Sequence, residues 1–142
     1  MSTDLKICTI DPELLADLKK FRFTKESVNM CMILKIEVDT QTIKKEKTFE
    51  DVLPENIHKE LRTNEPRYIV YNYKFSRDDG RVTYPVIFIF ISPADCKPEL
   101  QMLYAGSKLS VVNACGISKT LELRSVEEFT EEWLKKKLNE MK

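Results

Sequence analysis

The sequence predicts an α+β fold, in which a run of antiparallel strands forms a sheet with helices on both faces. Three observations carry this. Helical periodicity marks residues 12–21, 98–113 and the C-terminal stretch. Strand-like segments fill the chain between the first two. Residues 82–91, VTYPVIFIFI, are apolar on both sides, as a strand covered on both faces should be.

The elements follow in order. Asp11-Pro12 starts a helix, with the aspartate as N-cap and proline at the first helical position. Leu14, Leu15, Leu18 and Phe21 then recur at helical spacing. Residues 28–37, VNMCMILKIE, read as a strand, and the more polar residues 41–48 pair with it as a hairpin. A short helix can start at Pro54. Residues 66–75, PRYIVYNYKF, are aromatic and β-branched and read as one strand. Between them and residues 82–91 lies SRDDGR. There Asp79-Gly80 predicts a tight primed turn, because glycine accepts positive φ. Pro85 predicts a bulge or a local edge. Residues 98–113 form a helix, and KTLELR at 119–124 a short strand. Ser125 and Glu128 have the spacing of a capping box that starts the last helix. In that helix Glu131/Lys135 and Glu132/Lys136 stand in the favourable i,i+4 order.

The 142 residues are expected to form a single domain spanning 1–142. Charge balances at 23 cations and 23 anions, which argues against a general nucleic-acid binder. The start, MSTDLKICTIDPELL, lacks the pattern of a signal segment, and no apolar run is long enough to span a bilayer, so a cytosolic chain without membrane insertion is expected. The cysteines at 8, 31, 96 and 115 form no C-x-x-C pair, so no metal or redox site is expected, and they read as free, mostly buried thiols. His58 is the one histidine and reads as an exposed surface residue without a catalytic partner. Glycines at 80, 106 and 116 are too scattered for a phosphate loop. No enzyme chemistry and no cofactor are expected.

The helix at 98–113 is unusual. At about 100° per residue, Leu100, Leu103, Tyr104, Ser107 and Val111 fall on one side as a core stripe. Met102, Ala105, Gly106, Leu109 and Asn113 fall opposite, with Glu99 at the edge. This second face is small or apolar and nearly uncharged. It either packs under another element or meets a partner. A glycine costs about 1 kcal/mol in a helix interior, and close approach by a partner would account for it. A basic, aromatic patch, DLKKFRFTKE at 17–26, adds Lys19, Lys20, Arg22 and Lys25. The lysines suit a helix C-terminus, while Arg22 and Lys25 suit an acidic partner.

LKKFRF (18–23), PRYIVYNYKF (66–75), DDGRVTYP (78–85), CKPELQMLYAGSK (96–108) and FTEEWL (129–134) together resemble the glia maturation factor subgroup of the actin-depolymerising factor/cofilin homology family. The resemblance covers nearly the whole chain. It implies a mixed, mostly antiparallel sheet of five to six strands sandwiched between helices. It also implies a monomer that binds the actin-related protein 2/3 complex, removes actin branches and inhibits branch nucleation, in the cytoplasm at cortical and leading-edge networks and also in the nucleus. Carried over, one surface, toward actin-related protein 2, comprises Lys20, Arg22, Lys25, Glu99, Gln101, Met102, Gly106, Leu109 and Asn113. The second, toward the first actin subunit of the daughter filament, comprises Asp78, Asp79, Arg81, Glu131, Glu132 and Lys135. Ser2 matches the family's N-terminal phosphorylation position. Thr24 stands where the subgroup often has a basic residue. The alternative is a cofilin-like protein that binds and severs filaments directly, which Glu99 and Gln101 disfavour because cofilin relatives carry lysines there. A secreted growth factor is opposed by the missing signal segment and the unpaired cysteines.

Overall fold

The computed structural model describes residues 8–22, 29–77, 79–117 and 119–140. Strand β1 (Thr9–Ile10) leads into helix α1 (Pro12–Arg22), and the Asp11 carboxylate accepts from the Leu14 amide at 3.3 Å, as the N-cap reading requires. Strands β2 (Met30–Glu37) and β3 (Thr42–Phe49) form the expected hairpin, followed by the short α2 (Pro54–His58) and strand β4 (Arg67–Asn72). Next come the two-residue strands β5 (Phe75–Ser76) and β6 (Val82–Thr83), then β7 (Val86–Ile91), α3 (Pro98–Cys115), β8 (Lys119–Leu123), a 3-10 turn (Val126–Glu128) and α4 (Glu131–Glu140).

The main sheet has six strands in the order β1-β3-β2-β4-β7-β8. It is mixed: β1 runs parallel to β3 and β8 parallel to β7, while the inner pairs are antiparallel. All of β4 and nearly all of β7 are buried, and alternate residues serve opposite faces. Tyr68, Val70, Phe88 and Phe90 join Leu14 and Leu18 of α1 and Tyr104 and Val111 of α3 in one core. Ile69, Tyr71, Ile87 and Ile89 join Ile57 of α2, Phe129, and Leu134 and Leu138 of α4 in the other. The expected arrangement of helices on both faces therefore holds.

Four local expectations change. The strand predicted over 66–75 breaks after Asn72. The Tyr73 amide still donates in register to the Pro85 carbonyl at 3.1 Å, but Pro85 has no N–H to return the bond and the Lys74 amide donates to the Asn29 side chain at 2.8 Å, so the ladder stops there. Phe75–Ser76 and Val82–Thr83 instead form a separate ribbon, and Pro85 sits at the break before β7. The turn between them is also longer than a two-residue primed turn. The Arg77 amide donates to the Arg81 carbonyl and the Gly80 amide to the Arg77 carbonyl, leaving three residues in the loop, with Gly80 at φ +90°. The Ser125 capping box does not form. The Ser125 hydroxyl meets Glu127 at 2.7 Å, Phe129 turns inward to full burial, and α4 starts later with the Thr130 oxygen accepting from the Trp133 amide at 3.2 Å. Finally, His58 is half-buried rather than exposed, its Nδ1 lying 3.1 Å from the Phe129 carbonyl.

Cys8, Cys31 and Cys96 are free and buried, as expected. No helix among the described residues is long and apolar enough to cross a membrane.

Candidate functional site

Helix α3 holds the first candidate surface. Its inner side is anchored to the sheet through polar groups as well as apolar ones. The Tyr104 hydroxyl accepts from the buried Ile36 amide at 2.9 Å, the Ser107 hydroxyl accepts from the Cys8 amide at 3.0 Å, and the Tyr68 hydroxyl donates to the Tyr104 carbonyl. Tyr68 packs against Tyr104, Phe88 and Phe90, with ring centroids 5.2–5.5 Å apart. Gly116, at φ 66°, ends the helix by donating its amide to the Val112 carbonyl. The core stripe read from the sequence is thus the buried side.

Among the described residues no element covers the opposite side. Met102 is 73% exposed and Leu109 54%, with Ala105, Glu99 and Asn113 also exposed. A Cβ built on Gly106 would meet nothing within 4 Å. Packing inside the domain therefore gives no reason for the glycine, and the choice between a second packing face and an open face falls to the open one. An apolar stripe held open on a helix makes this side of α3 a candidate interaction surface. Gly106→Ala should raise stability by about 0.5–1 kcal/mol, read from urea unfolding, while weakening partner binding. A gain in stability with unchanged binding would remove Gly106 from the interface.

Gln101 turns out differently. Its side-chain amide donates to the Pro93 carbonyl at 3.2 Å and to the Cys96 carbonyl at 3.4 Å. It is half-buried and holds the loop that precedes α3. Lys20 is exposed near the end of α1, which packs beside α3. Arg22 belongs to α1 through its backbone; its side chain, Lys25 and Ser2 lie outside the described residues, as does Asp78.

The second candidate surface combines the β5–β6 loop with α4. Asp79 accepts from the Arg81 amide at 3.0 Å and from its guanidinium at 2.8 Å, and these bonds hold its carboxyl below the usual carboxylate range. Both side chains remain well exposed. Glu131 is half-buried: it accepts from the Tyr73 hydroxyl at 2.6 Å and lies 3.9 Å from Lys135. Burial, reinforced by the Glu131 hydrogen bond and charge, pushes the Tyr73 phenol well up, so it stays a donor. Glu132 and Lys135 are exposed on α4. Glu131 is therefore a fastening between α4 and the end of β4, and Glu132 and Lys135 are the more exposed groups.

Sequence reasoning missed a cleft between the β5–β6 ribbon and α4. It measures about 280 Å³ and is lined by Phe75, Arg77, Thr83, Tyr84, Pro85, Lys119 and Leu138. Its signal lay in Tyr84, an aromatic residue past the turn that the structure leaves 39% exposed. Among the described residues no three His, Cys, Asp or Glu side chains group in a way that could hold a metal ion.

Residues 7–139 match the family model described as cofilin/tropomyosin-type actin-binding protein. The chain is 46% identical over 138 residues to human glia maturation factor beta, covering 97% of each chain. It is 40% identical to the Drosophila melanogaster glia maturation factor over 96% of this chain and 99% of that one. Among solved structures it is similar to glia maturation factor from Caenorhabditis elegans, with TM-score 0.81, 38% identity and coverage of 96% and 99%. It is also similar to Plasmodium berghei actin depolymerization factor 2, with TM-score 0.80, 28% identity and coverage of 98% and 99%.

Proposed function

The chain belongs to the glia maturation factor branch of the cofilin and actin-depolymerising factor family, and we propose that it binds the actin-related protein 2/3 complex, detaches actin branches and inhibits branch nucleation. The family is one of actin-regulatory proteins, which sets the class of partner. The observation that carries the finer reading is the open, uncharged stripe of Met102, Gly106 and Leu109 on α3. Glu99, exposed at the helix start, supports it further, because it removes a cation that a filament-binding relative would use there.

The mechanism needs no bond-making. A protein that binds one conformation of the junction better than another shifts the population toward it, by no more than the difference in its two affinities. The α3 surface would hold the branch complex. The β5–β6 loop and α4 would meet the first actin subunit of the daughter filament and favour the arrangement in which that subunit has let go. The protein would act as a monomer, in the cytoplasm, where branched networks form.

Two surfaces make separable predictions. Among the described residues the exposed Arg81 side chain is paired with Asp79 alone, within its own loop. Arg81→Ala should therefore leave affinity for the isolated complex within about twofold, a change of about 0.4 kcal/mol, since the α3 surface and not this loop would hold the complex, yet slow branch loss severalfold. Fluorescence anisotropy with labelled complex reads the first quantity, and imaging of single branches reads the second. Equal losses in both would abolish the division into two surfaces.

A further inference from the structure

We infer that the cleft between the β5–β6 ribbon and α4 seats an acidic, partly apolar segment of the protein subunit met by the second surface, with Arg77 and Lys119 taking its carboxylate and Tyr84 its apolar side chain. This rests on the two-surface reading above and names what the second surface recognises.

Among the described residues the lining includes two cations and no carboxylate. Among the described residues neither Arg77 nor Lys119 has an acidic side chain within ion-pairing distance, whereas Arg81, Lys135 and Lys137 each have one. In a chain whose charges balance overall, two cations at one cleft, neither in an ion pair among the described residues, make a local positive site. The Arg77 guanidinium lies over the Phe75 ring, 5.5 Å from its centroid. That stacking holds the planar fork in place, so less freedom is lost when it meets a carboxylate. Tyr84 is 39% exposed and supplies apolar area with few rotatable bonds. At about 280 Å³ the cleft is below the roughly 300–1,000 Å³ of small-molecule pockets. It fits one or two side chains of a protein segment better than a metabolite. The acidic turn residue Asp79 is hydrogen-bonded by Arg81 and feels the Arg77 charge only at longer range, so the hydrogen-bonding capacity of Arg77 faces the cleft rather than the tip of the loop.

The test uses the full chain, labelled for amide NMR, and two blocked four-residue peptides. One reads leucine, aspartate, glutamate, phenylalanine; the other has lysines at the two central positions. The acidic peptide should shift the amides of Phe75, Thr83, Tyr84 and Lys119 saturably, with the basic peptide at least tenfold weaker. Arg77→Gln combined with Lys119→Gln, milder than charge reversal and checked for unchanged thermal unfolding, should weaken the acidic peptide tenfold or more. The same variant should bind the purified complex as wild type does but detach branches at least tenfold more slowly. Equal binding of both peptides, no acidic-peptide binding, or an undiminished affinity in the variant overturns the cleft assignment. Failure of wild type to bind the complex overturns the two-surface reading instead, and the peptide result still decides what the cleft recognises.

Discussion

Exchanging Met102 and Leu109 together for glutamate should lower affinity for the proposed partner, the actin-related protein 2/3 complex, by a hundredfold or more and leave the fold unmoved. Fully burying a methionine or leucine side chain is worth about 1.5–3 kcal/mol. Both residues are more than half exposed, so a partner has most of that area still to bury. Each factor of ten in affinity takes about 1.4 kcal/mol; loss of both side chains, with two carboxylates forced against an apolar contact, exceeds twice that. The fold has little reason to respond, because glutamate is a good helix former and exposed substitutions usually stay within about 0.5 kcal/mol. Titration of labelled complex and urea unfolding together check both halves. A variant that is stable and still binds as wild type would move the interface off α3.

Removing Arg67 has the opposite signature, a large loss of stability without a direct effect on either surface. Arg67 is 6% exposed at the start of β4. Its Nε donates to Glu46 at 2.9 Å, and its terminal nitrogens donate to Glu65 at 3.0 Å and to the Pro66 carbonyl at 2.7 Å. Glu46 reaches this position because the β2–β3 register shifts between Ile33 and Leu34, which pair with Lys47 and Lys45. Breaking a fully buried pair costs about 3–5 kcal/mol. The side chains of Glu46 and Glu65 keep 27% and 35% exposure, so water recovers part of the loss, and Arg67→Ala should cost about 2–3 kcal/mol. Acid should reveal the same network. Burial alone would raise the Glu46 carboxyl, but the Arg67 hydrogen bond and charge outweigh it and hold that carboxyl below its ordinary value. Its contribution is complete above the unfolded value of about 4.3 and disappears as pH falls through the lower, folded one. Arg67→Ala should flatten that part of the stability curve. An unchanged slope would mean other carboxylates govern acid unfolding.

The two faces of α3 could be read from spacing because a helix converts sequence period directly into direction. Leu100, Tyr104, Ser107 and Val111 went inward, Met102 and Leu109 outward, and the wheel needed no other element to say so. The Asp11 cap was legible for the same reason, since its partner is three residues away. What escaped depends on distant segments. β1 exists only because Thr9–Ile10 lies along Thr42–Ile43. The break after Asn72 requires Asn29 and Pro85. Ser125 had the right spacing to cap a helix, yet burial of Phe129 postponed the helix to Glu131. His58 and Gln101 looked like surface residues because their acceptors, the carbonyls of Phe129, Pro93 and Cys96, carry no mark in the sequence. The cleft beside Tyr84 and Lys119 was hidden likewise, since its walls come from the ribbon, β8 and α4.

The most direct measurement is single-filament imaging of branched actin networks with the purified protein, scoring branch loss and filament severing separately. Wild type should shorten branch lifetime at concentrations that leave unbranched filaments intact, and Met102→Glu combined with Leu109→Glu should restore the lifetime seen without protein. Severing of unbranched filaments at the same concentration, or branch loss that the double variant leaves unchanged, would contradict the account.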